Sequence, residues 1–501
     1  MARRSEPKQG AVPASKHKVV HNALWNVGGQ VVSLSVGLVA LPILLHALGA
    51  ARLGVFTLAL GLIGFSGLFD LGLSRALTQT VSSSLGQGRS RARVAALVWH
   101  VISMLAGLGM VWLVALWWAA PVLVDRLFSL NGEMARETVF GLRALALSIP
   151  CALAATGAMG TLEGLQQFRL LSLWRMPMSL LQFGLPLIVA LIHPDVGWVI
   201  AALATARVAW LALWLAHLRR LLPRTPGIPA SATDLRHAFH FGGWLSVSNL
   251  IGPLMVYADR FYLASIFPPA TVAHYTVPLD TATRATSLPQ TAVNALFPVL
   301  AETQQRPSDS ARLLTLAIHS IVALVLPAVL VISVFAHPLL ALWLNAPFAD
   351  SATPVLQLLM IGIFLNSAAY LPYALLQAHG RSDLTAKLHL LELPLFAIML
   401  VGSVHRFGIT GAALAWTLRM ALDALFLYLL AAWLQPSLRR VLARGFGLLG
   451  WACVIFLLTV YVLQSVPQLI LTGLIVAICA FAAVRILSVA RETSSREEVT
   501  V

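Results

Sequence analysis

The chain has 501 residues, of which 59% are hydrophobic and only 11% are charged, and its mean hydropathy is +0.84. Because a soluble domain carries about 25% charged residues, this composition excludes a water-soluble protein of this size and indicates one embedded in lipid. The net charge of +15 does not indicate binding of nucleic acid, since the basic residues are distributed along the chain as membrane topology requires.

In chain order, the sequence begins with a basic tail, residues 1–21, that lacks the apolar stretch and cleavage site of a signal peptide. Apolar blocks follow, each long enough to cross a hydrocarbon core, and they predict an all-α membrane protein of about fourteen transmembrane helices. The predicted helices are residues 22–48, 51–80, 92–120, 136–160, 173–193, 196–222, 236–267, 270–301, 311–336, 352–379, 384–405, 408–434, 441–464 and 467–489. A polar tail, residues 491–501, ends the chain.

Basic residues distinguish the two sides of these predicted helices. Lysine and arginine are concentrated in both tails and in every second loop, whereas the opposite side carries only Arg52, Arg126, Arg136 and Arg406. The side richer in lysine and arginine is the cytoplasmic one. The sequence therefore predicts a multi-pass protein with both termini in the cytoplasm.

Two ungapped matches indicate that the chain is an internal duplication. At an offset of 219 residues, helices one and two align with helices seven and eight, so that Thr57 meets Thr276. At an offset of 212 residues, Arg207 of helix six meets Arg419 of helix twelve. Because six helices is an even number, the two copies have the same orientation and are related by an axis along the membrane normal.

The duplication predicts the domain organisation of the chain. An N-terminal six-helix lobe comprises residues 22–222, and a C-terminal six-helix lobe comprises residues 236–434. The segment between them, residues 223–235, is rich in proline and serine and is predicted to be a cytoplasmic linker. Two further helices lie within residues 435–490 and belong to neither copy.

Ionisable residues within the predicted helices mark candidate sites, because each costs at least about 2.5–3.5 kcal/mol at mid-bilayer and faces a cavity or a partner. Arg207, Arg284 and Arg419 lie near the middle of their helices and predict a central aqueous cavity. A structural role stays open, because Asp280 and Arg284, like Arg419 and Asp423, are spaced to pair within one helix.

The remaining ionisable groups are less specific. Glu392 lies mid-helix without a local partner, so a proton site and a polar contact to a neighbouring helix are both open. The three cysteines and fourteen histidines show no ligand spacing. The sequence therefore predicts no disulfide and no metal site.

Several short motifs resemble one family of membrane proteins. They are Arg-Leu-Gly-Val-Phe-Thr-Leu-Ala at 52–59, Phe-Asp-Leu-Gly-Leu-Ser-Arg-Ala-Leu-Thr at 69–78, Trp-Leu-Ser-Val-Ser-Asn at 244–249 and Gly-Ala-Ala-Leu-Ala-Trp-Thr-Leu-Arg at 411–419. Over most of residues 20–435 the chain resembles the polysaccharide transporter family. That family contains the Wzx-type O-antigen and exopolysaccharide flippases, within the multidrug/oligosaccharidyl-lipid/polysaccharide (MOP) exporter superfamily.

The resemblance implies a MATE/MOP-like fold with two six-helix lobes around a central V-shaped cavity. It implies a transporter rather than an enzyme, which moves an undecaprenyl-pyrophosphate-linked oligosaccharide across the bacterial inner membrane for O-antigen, exopolysaccharide or capsule biosynthesis. The movement would occur by alternating access of the cavity to the two sides of the membrane. The implied partners are a polysaccharide polymerase and a chain-length protein. The transport unit is expected to be a monomer and to need no cofactor. Coupling of transport to H⁺ or Na⁺ stays open.

These considerations define two sets of candidate residues. Diphosphate and glycan are expected to bind in a cationic cavity, because the arginine guanidinium is a planar fork that matches phosphate oxygens. The predicted binding residues are Arg207, Arg284, Arg419, Arg260 and Arg75. The residues predicted to couple transport to an ion, or to form structural pairs, are Asp70, Asp259, Asp280, Glu392 and Asp423.

Three other functions are alternatives to this interpretation. A lipid II flippase of the same superfamily would have more arginines on helices one, two and eight, whereas helix one here has no charge between His21 and His46. A multidrug or cation antiporter would favour an acidic cation site and fewer central arginines. A polytopic glycan polymerase or ligase would have a large external loop or an acidic catalytic motif, and neither is found in this sequence.

Overall fold

The computed structural model of the chain is α-helical in the residues that it describes. It describes residues 16–64, 70, 73–86, 90–165, 167–223, 254–286, 289–290, 293, 307–379, 381–462 and 473. In this part of the chain, eight helices are long and apolar enough to cross a membrane. The predicted linker 223–235 and the last predicted helix, 467–489, lie almost wholly outside the described residues, as do most of the two tails.

The described residues of the N-terminal half form six helical segments. They are α1 (Lys16–Gly64), α2 (Leu73–Gly86), α3 (Arg91–Val122), α4 (Gly132–Gly164), α5 (Phe168–Ile192) and α6 (Val196–Leu221). Helix α1 is two helices that meet at Gly49, where a φ of 76° lies in the left-handed region that glycine adopts without steric cost. A π-helical turn, Leu123–Leu127, extends α3.

The predicted helix 51–80 is wrong at Asp70, which the structure places in a turn, three residues before Leu73 of α2. The Asp70 carbonyl accepts a hydrogen bond from the Leu73 amide at 3.0 Å, and its carboxylate accepts one from the Ser74 hydroxyl. Because an aspartate that bonds the residues after it competes with a continuing helix, Asp70 starts a helix here instead of lying inside one.

The C-terminal half begins, within the described residues, with helix α7 at 254–264. The following helices are α8 (Pro269–Ala285), α9 (Pro307–Val334), α10 (Ala336–Trp343), α11 (Ala346–Ala378), α12 (Ser382–Leu434) and α13 (Arg439–Leu457). Helix α12 is broken at Gly408, where φ is 59°, so its two parts form an antiparallel hairpin. A π-helical turn, Leu458–Val462, follows α13.

Polar residues determine where two of the central helices begin. The Asp195 carboxylate accepts hydrogen bonds from the amides of Gly197 and Trp198, at 2.6 and 3.3 Å, at the start of α6. The Asn345 side chain accepts from the Phe348 amide at 2.9 Å at the start of α11. These side chains accept hydrogen bonds from amides that have no partner within the helix. An amide left without an acceptor would be costly in lipid.

Each half packs around one central helix. Helix α4 contacts α2, α3 and α6, and α11 contacts α8, α9, α10 and α12. Small residues allow this close approach: a Cβ on Gly160 would collide with the carbonyl of Ser74, and one on Gly362 would collide with Trp416. Since lipid provides no hydrophobic drive between helices, such close packing is a main source of their association.

The two halves meet where α1 crosses α8. The hydroxyl oxygens of Thr57 and Thr276 are 2.9 Å apart and hydrogen-bonded, and Gly54 lies against the carbonyl of Pro269. Thr57 and Thr276 are the residues that the offset of 219 makes equivalent. A contact between these two residues is compatible with a two-fold relation between the halves, which stays a prediction. The boundaries of the two lobes stay a prediction.

Candidate functional site

A connected set of charged and aromatic side chains crosses the C-terminal half, and we refer to it as the polar network. Its charged members are on α7, α8 and both parts of α12. They are Arg284, Asp280, Arg260, Asp259, Arg419, Glu392, Asp423 and His389. Seven of these eight are residues that the sequence singled out.

Arg260 occupies the middle of the polar network. Its guanidinium Nη2 lies 2.6 Å from Asp280 Oδ1, and its side chain is 3% exposed. The guanidinium carbon lies 4.9 Å from the centre of the Tyr257 ring. The neighbouring Asp259 accepts hydrogen bonds from the Arg260 amide, at 2.8 Å, and from the Tyr275 hydroxyl. Burial of Arg260 is therefore balanced by a carboxylate and a ring, which gives it a structural role in holding α7 to α8.

Arg284 reaches from the C-terminal half into the N-terminal half. Its guanidinium carbon lies 5.1 Å from the centre of the Phe183 ring on α5. A Cβ added at Gly37 of α1 would lie 3.0 Å from Arg284 Nη1, so the absence of a side chain at Gly37 makes room for the guanidinium. Arg284 and Asp280 line a narrow cavity between α1, α5 and α8, together with Thr57. Arg284 thus lies at the junction of the halves, as do Asp280, which lines the same cavity, and Arg260, whose side chain lies beside Gly61 of α1.

Arg419 lies deeper in the C-terminal half. Its Nη1 donates to the Met255 carbonyl at 2.9 Å, and its guanidinium carbon lies 5.4 Å from the centre of the Phe396 ring. Its Nε is buried and has no hydrogen-bond partner among the described residues. The pairing with Asp423 that the spacing allowed is not formed, because the guanidinium turns toward α7.

Asp423 instead faces the first part of α12. Its Oδ1 lies 3.7 Å from His389 Nε2. One ligand atom from each of His389, Glu392 and Asp423 lies within 4.8 Å of the others. Glu392 is 2% exposed, and neither of its carboxylate oxygens has a hydrogen-bond donor among the described residues. Of the two polar neighbours of Glu392, His389 lies in the same part of α12 and Asp423 in the part after Gly408, so a proton site and a polar contact both stay open.

The other predicted site residues lie elsewhere. Arg207 on α6 is half-buried beside Met178, Leu181 and Gln182 of α5, and no member of the polar network lines that pocket. Asp70 is in the turn before α2, and the side chain of Arg75 lies outside the described part of the structure. Of the five predicted binding arginines, the structure places Arg260, Arg284 and Arg419 in the polar network and Arg207 outside it, and their role in binding stays a prediction.

The aromatic members of the network were not predicted from the sequence. Tyr257 precedes Arg260 by three residues, so helical spacing could have found it. His389 likewise precedes Glu392 by three residues. Phe183 and Tyr275 lie on different helices from the groups they contact, and only the packing of the helices brings them there.

Comparison with known proteins supplies independent information. A family model described as polysaccharide biosynthesis protein matches residues 19–304, more than half of the chain. A protein of Shigella flexneri named "Putative O-antigen transporter" is 26% identical over 409 residues, which cover 82% of this chain and 96% of that protein.

Two solved structures show a similar fold. An inward-facing MATE family multidrug resistance transporter of the MOP superfamily aligns with a TM-score of 0.67 at 16% identity, covering 83% of this chain and 99% of that one. The lipid II flippase MurJ in an inward closed conformation aligns with a TM-score of 0.63 at 10% identity, covering 93% of this chain and 99% of that one. The predicted MATE/MOP-like fold is confirmed, while the number of fourteen helices stays a prediction.

Proposed function

This chain belongs to the polysaccharide biosynthesis protein family, and we propose that it is a flippase for an undecaprenyl-pyrophosphate-linked oligosaccharide. A relative named as an O-antigen transporter, together with a fold found in transporters, supports transport over catalysis. The proposed location is the bacterial inner membrane, with both termini in the cytoplasm as the basic loops predict.

The observation that carries this proposal is the position of Arg284. It lies at the junction of the two halves, against α1 and α5 of one and within α8 of the other. A substrate that is exposed alternately on either side has to bind between two halves that move relative to each other. A guanidinium at that junction is suited to a diphosphate, because it offers a planar fork of donors to the phosphate oxygens.

The arginines of the network have different proposed roles. Arg284 contacts the diphosphate, and Arg419 contributes positive charge from deeper in the C-terminal half, where its Nε has no described partner. Arg260 positions α7 and α8 through Asp280 and is already neutralised by it. Arg207 and Arg75 stay predicted binding residues, with Arg207 facing α5 rather than the network.

The membrane potential favours the proposed direction of transport. A diphosphate headgroup carries about two negative charges at neutral pH. Moving one elementary charge across the membrane is worth about 2.3 kcal/mol per 100 mV. Because the cytoplasm is negative, export of the anion is downhill in this field.

Replacing the arginines tests the proposal. We expect Arg284→Ala and Arg419→Ala to abolish surface glycan in a flippase-null strain while the protein remains at normal levels in the membrane. The measurement is glycan display normalised to membrane protein. Arg143→Ala is the matched control, because Arg143 also lies over an aromatic ring, Trp117 at 5.2 Å, but outside the network. Full display by both network variants would refute the proposed site.

The lipid II flippase is the main rival. The similarity to MurJ, at 10% identity, concerns the fold alone. Expression in a strain depleted of its lipid II flippase separates the two functions: growth there, without rescue of a strain that lacks its O-antigen flippase, would favour the rival.

A further inference from the structure

A cavity at the surface of the N-terminal half contains no member of the polar network, and we refer to it as the α3–α4 groove. Its volume is about 540 Å³, and it is lined by Trp117 of α3 and by one face of α4. Phe140 and Leu147, which line it, are 43% and 56% exposed in the described structure. Because both helices are long and apolar enough to cross a membrane, the surroundings of the groove are lipid.

Two arginines line the groove. Arg136 and Arg143 are seven residues apart, about two turns of α4, so both are on the same side of the helix. The guanidinium carbon of Arg143 lies 5.2 Å from the centre of the Trp117 ring. The Arg143 Nε is buried and has no hydrogen-bond partner among the described residues. A cation held in this way in a membrane is costly unless an anion accompanies it.

The acidic residues at the start of α4 do not provide that anion. The Glu137 carboxylate lies 2.6 Å from Arg52 Nη2 and also accepts the Val196 amide at 3.2 Å. Glu133, one turn earlier, is within electrostatic range of Arg52. In the part of the chain that the structure describes, neither arginine of the groove forms an ion pair. The groove therefore keeps a positive charge that an external anion can neutralise.

Below the arginines the groove is apolar, and its length fits one leaflet of a bilayer. From Arg136 to Leu147 is about 16 Å along α4, at a rise of about 1.5 Å per residue. Half of a hydrocarbon core is about 15 Å. The Phe140 ring centre lies 5.0 Å from that of Trp198, the third residue of α6, and tryptophan is typical of the membrane–water interface. The charged end of the groove is thus near the interface, and the apolar end is within the hydrocarbon.

We propose that the α3–α4 groove binds one anionic glycerophospholipid. Its phosphate accepts hydrogen bonds from Arg136 and Arg143, whose planar guanidinium groups match phosphate oxygens. One acyl chain lies along the apolar part of the groove, past Val139 and Ala144. On the topology predicted from the basic loops, this end of α4 faces the periplasm, so the lipid comes from the periplasmic leaflet. A zwitterionic lipid fits less well, because its own ammonium group repels the two arginines.

Native mass spectrometry of the purified full-length protein tests this site. We expect the wild type to retain one phosphatidylglycerol in preference to phosphatidylethanolamine with the same acyl chains. The double variant Arg136→Gln and Arg143→Gln should bind that lipid at least about tenfold more weakly, because it lacks the charged hydrogen-bond donors. Arg406→Gln is the matched control, since Arg406 is exposed beside the break of α12 and is predicted on the same side of the membrane. Equal retention of the two lipids by the wild type would overturn the proposal without any variant, as would equal binding of phosphatidylglycerol by the double variant and the control.

Ala144→Phe distinguishes a lipid from a free phosphate ion, because it fills the apolar part of the groove and leaves both arginines in place. We expect it to weaken phosphatidylglycerol binding as the double variant does. Phosphatidylglycerol should also raise the unfolding temperature of the wild type by more than that of either variant, since a ligand of the folded state stabilises it. Unchanged binding by Ala144→Phe, together with displacement of the lipid by inorganic phosphate, would show an anion site only and refute the lipid site. The groove is separate from the polar network, so either result leaves the proposed diphosphate site to its own test.

Discussion

At the scale of single residues, aromatic rings contact three described arginines of the polar network. Arg260, Arg284 and Arg419 each lie about 5 Å from a ring centre, on Tyr257, Phe183 and Phe396 respectively. A ring face attracts a cation by about 0.5–2 kcal/mol, most when both are removed from water. Unlike a carboxylate, a ring leaves the positive charge of the guanidinium uncancelled. A ring therefore stabilises a buried guanidinium without neutralising it, whereas carboxylates act in addition on Arg260 and Arg419.

Phe396→Leu tests this role, because it keeps a large apolar side chain and removes the ring face. We expect the variant to lose about 0.5–2 kcal/mol of stability and to display less glycan than the wild type. Thermal unfolding in detergent and surface glycan are the measurements. Phe407→Leu is the control, since Phe407 is in the same arm of the hairpin but is 58% exposed and makes no cation–π contact with a described arginine. Equal behaviour of the two variants would contradict the role.

At the scale of helices, close approach of backbones holds the halves together. Gly54 of α1 lies so near the Pro269 carbonyl that an added Cβ would overlap it, and backbone cannot move aside as a flexible side chain can. The contact lies one turn from Thr57, where the halves meet.

Gly54→Ala should therefore destabilise the protein by about 1–3 kcal/mol, the usual cost of overpacking. The control is Gly107→Ala in α3, where an added Cβ meets nothing within 4 Å. In that helix, alanine in place of glycine should be neutral or stabilising by up to about 1 kcal/mol. Unfolding temperatures in one detergent compare the two, and a Gly54 variant as stable as the control would show that α1 and α8 are less tightly packed.

At the scale of the whole molecule, the two predicted copies have diverged in charge. The offset of 219 pairs Asp259 with Ala40 and Asp280 with Gly61, and the offset of 212 pairs Asp423 with Leu211. Arg207 consequently lies among α5 residues, whereas its counterpart Arg419 is surrounded by carboxylates. The two predicted copies have similar arrangements of helices. Among the described residues, the connected charged side chains of the polar network lie in the second copy.

A double-mutant cycle on Thr57→Val and Thr276→Val measures the contact between these two threonines, which the predicted repeat makes equivalent. Hydrogen bonds between helices in membranes contribute about 0.6 kcal/mol on average, with a maximum of about 1.7 kcal/mol. We expect a favourable coupling energy in that range from unfolding in detergent micelles. Additive effects of the two substitutions would contradict a direct hydrogen bond between the equivalent threonines.

Sequence alone was sufficient for the features that depend on local composition. Apolar blocks indicate helices because lipid offers no partner for backbone amides, and the glycines at 49 and 408 separate helices that would otherwise be continuous. The sequence also singled out Arg284, Arg419 and Glu392, because an ionisable residue within an apolar block is conspicuous.

Only the tertiary structure decided which of these residues act together. Spacing along one helix suggested that Asp423 pairs with Arg419, whereas packing of the hairpin places Asp423 beside His389. Spacing likewise gave no sign that Phe183 of α5 would meet Arg284 of α8. The partners of a buried charge lie on neighbouring helices, and the crossing of helices is determined by packing over their whole length. Local sequence therefore identifies the charged groups, and the fold assigns their partners.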